Sequence, residues 1–145
     1  MKIVLQPIGV TSVPTPVPYK VPGNKSIEFE GKTAFPMNAV LAKTMKKGEK
    51  VKVIRLLSES GNCAKFAEAQ KSELDKINEK IQADIIFDEV VEAFAEDNGT
   101  QERRLKKIIE KLEPDAEIYT DITYGQKPFP ILFMSICAFA EKFLN

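Results

Sequence analysis

From Ala116 to Leu144 the chain reads AEIYTDITYGQKPFPILFMSICAFAEKFL, and no other stretch restricts the possible folds as strongly. Ile118 to Ile122 is a short β-branched and aromatic run, Gly125 breaks it, and Pro128 opens a long apolar segment. A strand, a tight turn and a helix in that order form the unit at which open α/β sheets bind ligands. The turn carries the Asp121 carboxylate, the Thr123 and Tyr124 hydroxyls, the Lys127 ammonium and a glycine free to take a positive φ. Proline suits a first helical turn, because its missing N–H would be unpaired there. Free N–H groups around such a turn, with the helix dipole behind them, favour an anion.

The helix that follows is apolar around its whole circumference, from Ile131 and Met134 to Phe139 and Phe143. A helix of that kind needs cover on both sides. One side belongs to the sheet, and with no chain after it the other is expected to meet a second copy, giving a homodimer through the C-terminal helix.

Upstream, strand and helix signals alternate. Lys2 to Gln6 reads as a buried strand that ends at Pro7-Ile8-Gly9, and Val51 to Leu57 reads as a second central strand. Asp84 to Val91 contains a third, centred on Ile85-Ile86-Phe87, and Ile27 to Glu30 fits a short edge strand. Helical spacing predicts helices from Pro36 to about Lys47, from Cys63 to Ile81, and from Thr100 until Pro114 closes the segment. The alternation predicts an α/β fold: a Rossmann-like three-layer sandwich, its sheet mainly parallel, with helices on both faces. One domain, 1–145, accounts for the length.

Two further loops are candidate ligand contacts. Gly9, Thr11 and Ser12 follow the first strand, where phosphate is often held, although threonine and serine after a glycine are also ordinary turn formers. Val13 to Lys25 carries Pro14, Pro16, Pro18 and Pro22 and is expected to be an extended loop. Its Tyr19 and Lys20 read equally as a lid that stacks on a base and meets a phosphate, and as a solvent-facing excursion. Lys32-Thr33 fit a polar helix lead-in better than a phosphate contact.

Composition excludes much. The chain has 21 basic and 21 acidic residues, so no global field points to duplex nucleic acid or an anionic membrane. It has no histidine, which removes a histidine general base, a Ser–His–Asp triad and a histidine metal site. Cys63 and Cys137 lack CxxC spacing and read as free thiols of a reducing cytoplasm. The carboxylates Glu89, Glu92, Glu96 and Asp97 are spaced too loosely for a metal and read as a solvated rim. Neither GxGxxG nor GxxxxGK[ST] occurs, so a dinucleotide fingerprint and a P-loop are unsupported. Pro130 to Ala140 covers about half a membrane span. No metal, cofactor or membrane is expected, and the protein is expected in the cytoplasm.

Asp121-Ile122-Thr123-Tyr124-Gly125-Gln126-Lys127-Pro128-Phe129-Pro130 resembles the signature of the CARF (CRISPR-associated Rossmann fold) domain. Many CARF domains have histidine where this chain has Tyr124, and arginine near Gln126–Lys127. The resemblance implies a dimer that binds a cyclic oligoadenylate of type III CRISPR antiviral defence, a tetra- or hexa-adenylate ring across its two-fold axis. It implies phosphate contacts from Lys127 first and Lys20 second, with Thr123 and Gly125 facing Gly9, Thr11 and Ser12. Tyr19, Tyr124 and Gln126 complete the implied ligand set. Asp121 either holds the turn or accepts from a ribose hydroxyl. Such domains are usually fused to an effector; alone, the precedent is a ring nuclease without metal or cofactor, in which a ribose 2′-OH attacks the adjacent phosphate. Lys127, Thr11 and Ser12 are the residues the resemblance offers for that step. Two other readings stay open: an enzyme acting on a phosphorylated small metabolite or mononucleotide, and a structural partner subunit that binds no nucleotide.

Overall fold

Alternating residues of the first strand, Lys2–Pro7 (β1), serve two cores at once. Ile3 and Leu5 face one, and Val4 faces the other. A strand apolar on both faces belongs inside a parallel sheet. In the computed structural model, which describes residues 1–144, β1 pairs in parallel with Lys50–Ser58 (β4) on one edge and Glu117–Thr120 (β6) on the other. Asp84–Glu92 (β5) extends the sheet beyond β4, giving the order β5-β4-β1-β6 with every pairing parallel.

Helices Pro36–Thr44 (α1) and Cys63–Ile81 (α2) cover one face, where Met37, Leu41 and Leu74 pack on Val4, Val51 and Val53. Asn98–Ile109 (α3) and Phe129–Phe143 (α4) cover the other, where Ile108, Leu132, Phe133 and Ile136 pack on Ile3, Leu5, Ile54 and Leu56. The chain is an α/β, Rossmann-like three-layer sandwich. It runs outward from β1 through β4 to β5, then returns to the other edge of β1 for β6. That reversal leaves a crevice beyond the carboxyl ends of β1 and β6, the usual ligand position in open sheets.

Several boundaries differ from the sequence reading. The last strand stops at Thr120, so Ile122 lies outside it, 66% exposed. Ile27 to Glu30 is not a strand. A 3-10 turn occupies Lys25–Ile27, and the short strand is Lys32–Thr33 (β3), paired antiparallel with Val17–Pro18 (β2). The proline-rich segment thus contains half of a small two-stranded arm, kept short because Pro18 has no N–H to give. The first helix ends at Thr44, before Lys46 and Lys47, because Met45 turns to extended backbone and its side chain enters the core. The third starts at Asn98, ahead of Thr100, because the Asp97 carboxylate accepts from Thr100 N (2.9 Å) and caps the helix there.

α4 is covered on one side only. Phe129, Leu132, Phe133, Ile136 and Ala140 are buried, whereas Ile131 and Met134 are 71% and 73% exposed. Among the described residues no helix is long and apolar enough to cross a membrane.

At the amino-terminal end of the sheet, Lys2 is buried and its Nζ lies 2.6 Å from Glu49 and 3.5 Å from Glu117. The central strand is thereby tied to the residue before β4 and to the first residue of β6. The hydrogen bond from Lys2 holds the Glu49 carboxyl below its ordinary value against the opposing effect of burial. Donors likewise lower Asp88 (Lys111), Glu92 (Lys107, then Arg103), Asp97 (Thr100) and Glu113 (Lys52). A carboxyl whose pKa falls on folding contributes stability above its unfolded value and loses it as pH drops through the folded value. The melting temperature is therefore expected to hold near neutrality and to fall steeply below the ordinary carboxylate range. Glu49→Gln should flatten part of that acid limb, and calorimetry across pH measures it.

Candidate functional site

Three loops meet over the carboxyl ends of the strands and enclose a cleft of about 410 Å³, within the range of small-ligand sites. The loop after β1 supplies Ile8, Gly9, Val10 and Thr11; the turn after β6 supplies Thr123 to Lys127. Ser58 from the end of β4, Phe94 and Glu96 from the loop after β5, and Phe129 complete it.

Close packing fixes the first loop. A Cβ on Gly9 would sit 2.6 Å from the Phe66 ring, so glycine alone lets the loop lie on α2 at that point. Val10 O then accepts from Asn62 N (3.0 Å) just before α2 begins. The second loop is held more firmly. Asp121 is buried, its N–H donates to Leu5 O (2.9 Å), and its carboxylate accepts from Thr123 N (2.8 Å). Of the two roles open to Asp121, the structure shows the turn-holding one. Gly125 has φ +103°, and a Cβ there would meet Phe129 and Pro7 at 2.5 and 2.6 Å. This sharp bend leaves the backbone N–H groups of Gly125, Gln126 and Lys127 without an acceptor among the described residues. They stand at the amino-terminal end of α4, where the helix dipole adds to them.

Tyr124 joins the loops. Its ring meets Phe66 edge-on (4.9 Å between centroids) and its hydroxyl donates to Ala34 O (2.7 Å). Burial, then the Asp121 and Glu73 carboxylates, raise its pKa, so the phenol stays a donor. Ala34 N in turn donates to Glu73 (3.1 Å), which accepts from Asn38 Nδ2 (3.2 Å). Gln70 Nε2 bridges Asn38 Oδ1 (3.1 Å) and Gln6 Oε1 (3.0 Å), and the Gln6 amide reaches back to Asp121 at 3.4 Å. A ring of hydrogen bonds, closed through the backbone of Ala34 and of the Asp121–Tyr124 turn, thus links the β6 turn, the base of the arm, both helices of one face and β1.

The cleft is not a cationic funnel. Lys127 is the one lysine lining it among the described residues, and Glu96 is its carboxylate. Thr11, Thr123 and Ser58 bring hydroxyls, and the Gln126 side chain has a buried Oε1 without a partner. Burial raises the thiols of Cys63 and Cys137, both free, so neither is poised as a thiolate.

Of the residues singled out from sequence, Gly9, Thr11, Thr123, Tyr124, Gly125, Gln126 and Lys127 come together in this cleft. Asp121 sits behind it. Ser12, Tyr19 and Lys20 are not among its walls: Tyr19 and Lys20 follow β2 on the arm, where the Lys20 Nζ lies 4.0 Å from Glu28. Lys32 pairs in β3, and Thr33 is buried with its hydroxyl donating to Glu73. The acidic rim is largely engaged, Glu89 with Arg55, Glu92 with Arg103 and Lys107, and Asp97 as a helix cap. Sequence reasoning did not mark Ser58 or Phe94 and took Glu96 only as part of that rim. No spacing pattern signals them: Ser58 ends the strand beside β1, and Phe94 and Glu96 lie in a loop two strands away, so they enter the cleft only once the sheet order is known. No protein-family model matches the chain, nor does any curated protein.

Gly125→Ala tests the turn directly. A side chain at that φ, pressed on Pro7 and Phe129, should destabilise the fold by about 2 kcal/mol or more, read as a lower urea midpoint with unchanged slope.

Proposed function

We propose that this cleft binds the phosphate-bearing edge of a nucleotide and that its ligand is a cyclic oligoadenylate. The protein would then act as a sensor in type III CRISPR antiviral defence. One observation carries the reading. The loop after β1 and the Asp121–Lys127 turn, far apart in sequence, meet in one cleft at the point where strand order reverses. There, unpaired backbone N–H groups, hydroxyls and a lysine offer donors to an anion. The resemblance of Asp121–Pro130 to the CARF signature supplies the ligand class.

A ring of identical nucleotides presents the same edge more than once, and a two-fold dimer presents the same cleft twice. The outward side of α4, with Ile131, Met134 and Ala138 exposed, supports self-association through this helix. Met134→Glu should turn a dimer into a monomer in light scattering without lowering the melting temperature of the protomer. A wild type that is already monomeric at micromolar concentration would reject the dimer.

Lys127→Ala is the test of the phosphate contact. A charge-assisted hydrogen bond is worth about 1.5–3 kcal/mol, and a symmetric dimer loses it twice. Affinity for the preferred ring should fall by about two to four decades, with folding unchanged because Lys127 is exposed. Calorimetry against cyclic tetra- and hexa-adenylate, AMP and ribose 5-phosphate also separates the alternative. Tighter binding of AMP or ribose 5-phosphate than of either ring would mark an enzyme of small phosphorylated metabolites.

A further inference from the structure

We infer that the loop after β5 forms a base subsite of this cleft, with the Phe94 ring as a stacking platform and the Glu96 carboxylate accepting from an amino-bearing base edge. The inference rests on the nucleotide reading above and assigns to the ligand a polarity and a base preference.

Phe94 is 53% exposed and lines the cleft. A single exposed apolar residue is ordinary; the support beneath this one is not. Arg104, 1% exposed, donates from Nη2 to Ala93 O (2.9 Å) and from Nη1 to Ala95 O (3.1 Å), the carbonyls on either side of Phe94. The Gln101 amide adds a bond to Ala95 O (3.3 Å), and Ala95 N donates to Ala93 O (2.9 Å). Glu59 N donates to Glu92 O (3.0 Å) just before the loop. Burying a guanidinium is costly without hydrogen bonds, and burial lowers the Arg104 pKa against the pull of Glu92 and Asp97. A buried cation is thus committed to the two carbonyls that flank Phe94. With the backbone under the ring fixed in this way, binding a π-face has only the Phe94 side chain left to order.

Glu96 fixes the orientation. Its neighbours are taken, Glu92 by Arg103 and Lys107 and Asp97 by the helix cap, while Glu96 has no such pairing among the described residues and lines both the cleft and the adjoining groove beside α3 and α4. A carboxylate repels phosphate, so the phosphate belongs at the Lys127 turn and the base at the β5 loop. An ionised carboxylate only accepts hydrogen bonds, which favours adenine, with its amino donor, over hypoxanthine, which carries a carbonyl oxygen at that position.

The experiment measures binding of cyclic tetra-adenylate, cyclic tetra-inosinate and ribose 5-phosphate to the wild type, Phe94→Ala, Phe94→Tyr, Glu96→Gln and Lys127→Ala. Melting temperatures serve as the folding control. Base–aromatic stacking predicts that Phe94→Ala weakens cyclic tetra-adenylate by about 5- to 150-fold per stacked base, while Phe94→Tyr retains it and ribose 5-phosphate is unaffected. Glu96→Gln should bring the preference for adenylate over inosinate close to one. If Phe94→Ala binds cyclic tetra-adenylate as the wild type does while Lys127→Ala is weakened, the base subsite is overturned and the nucleotide reading stands. If the wild type binds no nucleotide, both are overturned.

Discussion

β1 gives one edge of its backbone to β4 and the other to β6, and everything else in the molecule hangs on that double pairing. A buried backbone must find hydrogen bonds within the protein, so β1 cannot shift in register without opening both ladders. Lys2 reinforces the arrangement at one end, since its buried ammonium holds Glu49 and Glu117. At the other end the same two pairings deliver the first loop and the last turn to neighbouring positions. The cleft is a consequence of strand order before it is a consequence of any side chain.

Rigidity at the cleft comes from crowding and from buried polar groups together. Gly9 and Gly125 are squeezed against Phe66, Pro7 and Phe129, so each loop has one way to lie. Asp121 and Arg104 then fix the backbone from below, one by accepting from the turn and the other by donating to the β5 loop. Neither side chain is exposed to a ligand. Both determine where the exposed groups are, which suits a site that must bind without much rearrangement.

Much of this was legible in the sequence. The short apolar and β-branched runs and the period-3.6 patterns place all four strands of the main sheet and the four helices, and the Gly125–Pro128 punctuation marks the turn after β6. The first-loop and last-turn residues were recognisable because each follows a strand directly. The third wall was not. Phe94 and Glu96 reach the cleft only through the β5-β4-β1-β6 order and the Arg104 anchor, and no local pattern encodes either. The arm misleads for a different reason: its prolines suppress the strand signal of β2, and Thr33 is drawn inward by Glu73. Lys20 accordingly lies with Glu28 on the arm. The apolar circumference of α4 is real, but the sequence pattern does not say which side meets the sheet.

The ring of hydrogen bonds through Tyr124, Ala34, Glu73, Asn38, Gln70, Gln6 and Asp121 has a consequence for how the protein can vary over time. Removing any one of the side chains leaves buried or half-buried partners unpaired, at a cost larger than the bond itself. Drift at these positions should therefore be slow and paired, a lost acceptor tolerated only where the facing donor has also gone. Kinship in such a protein would persist in the interior polar positions after the loops around the cleft had diverged.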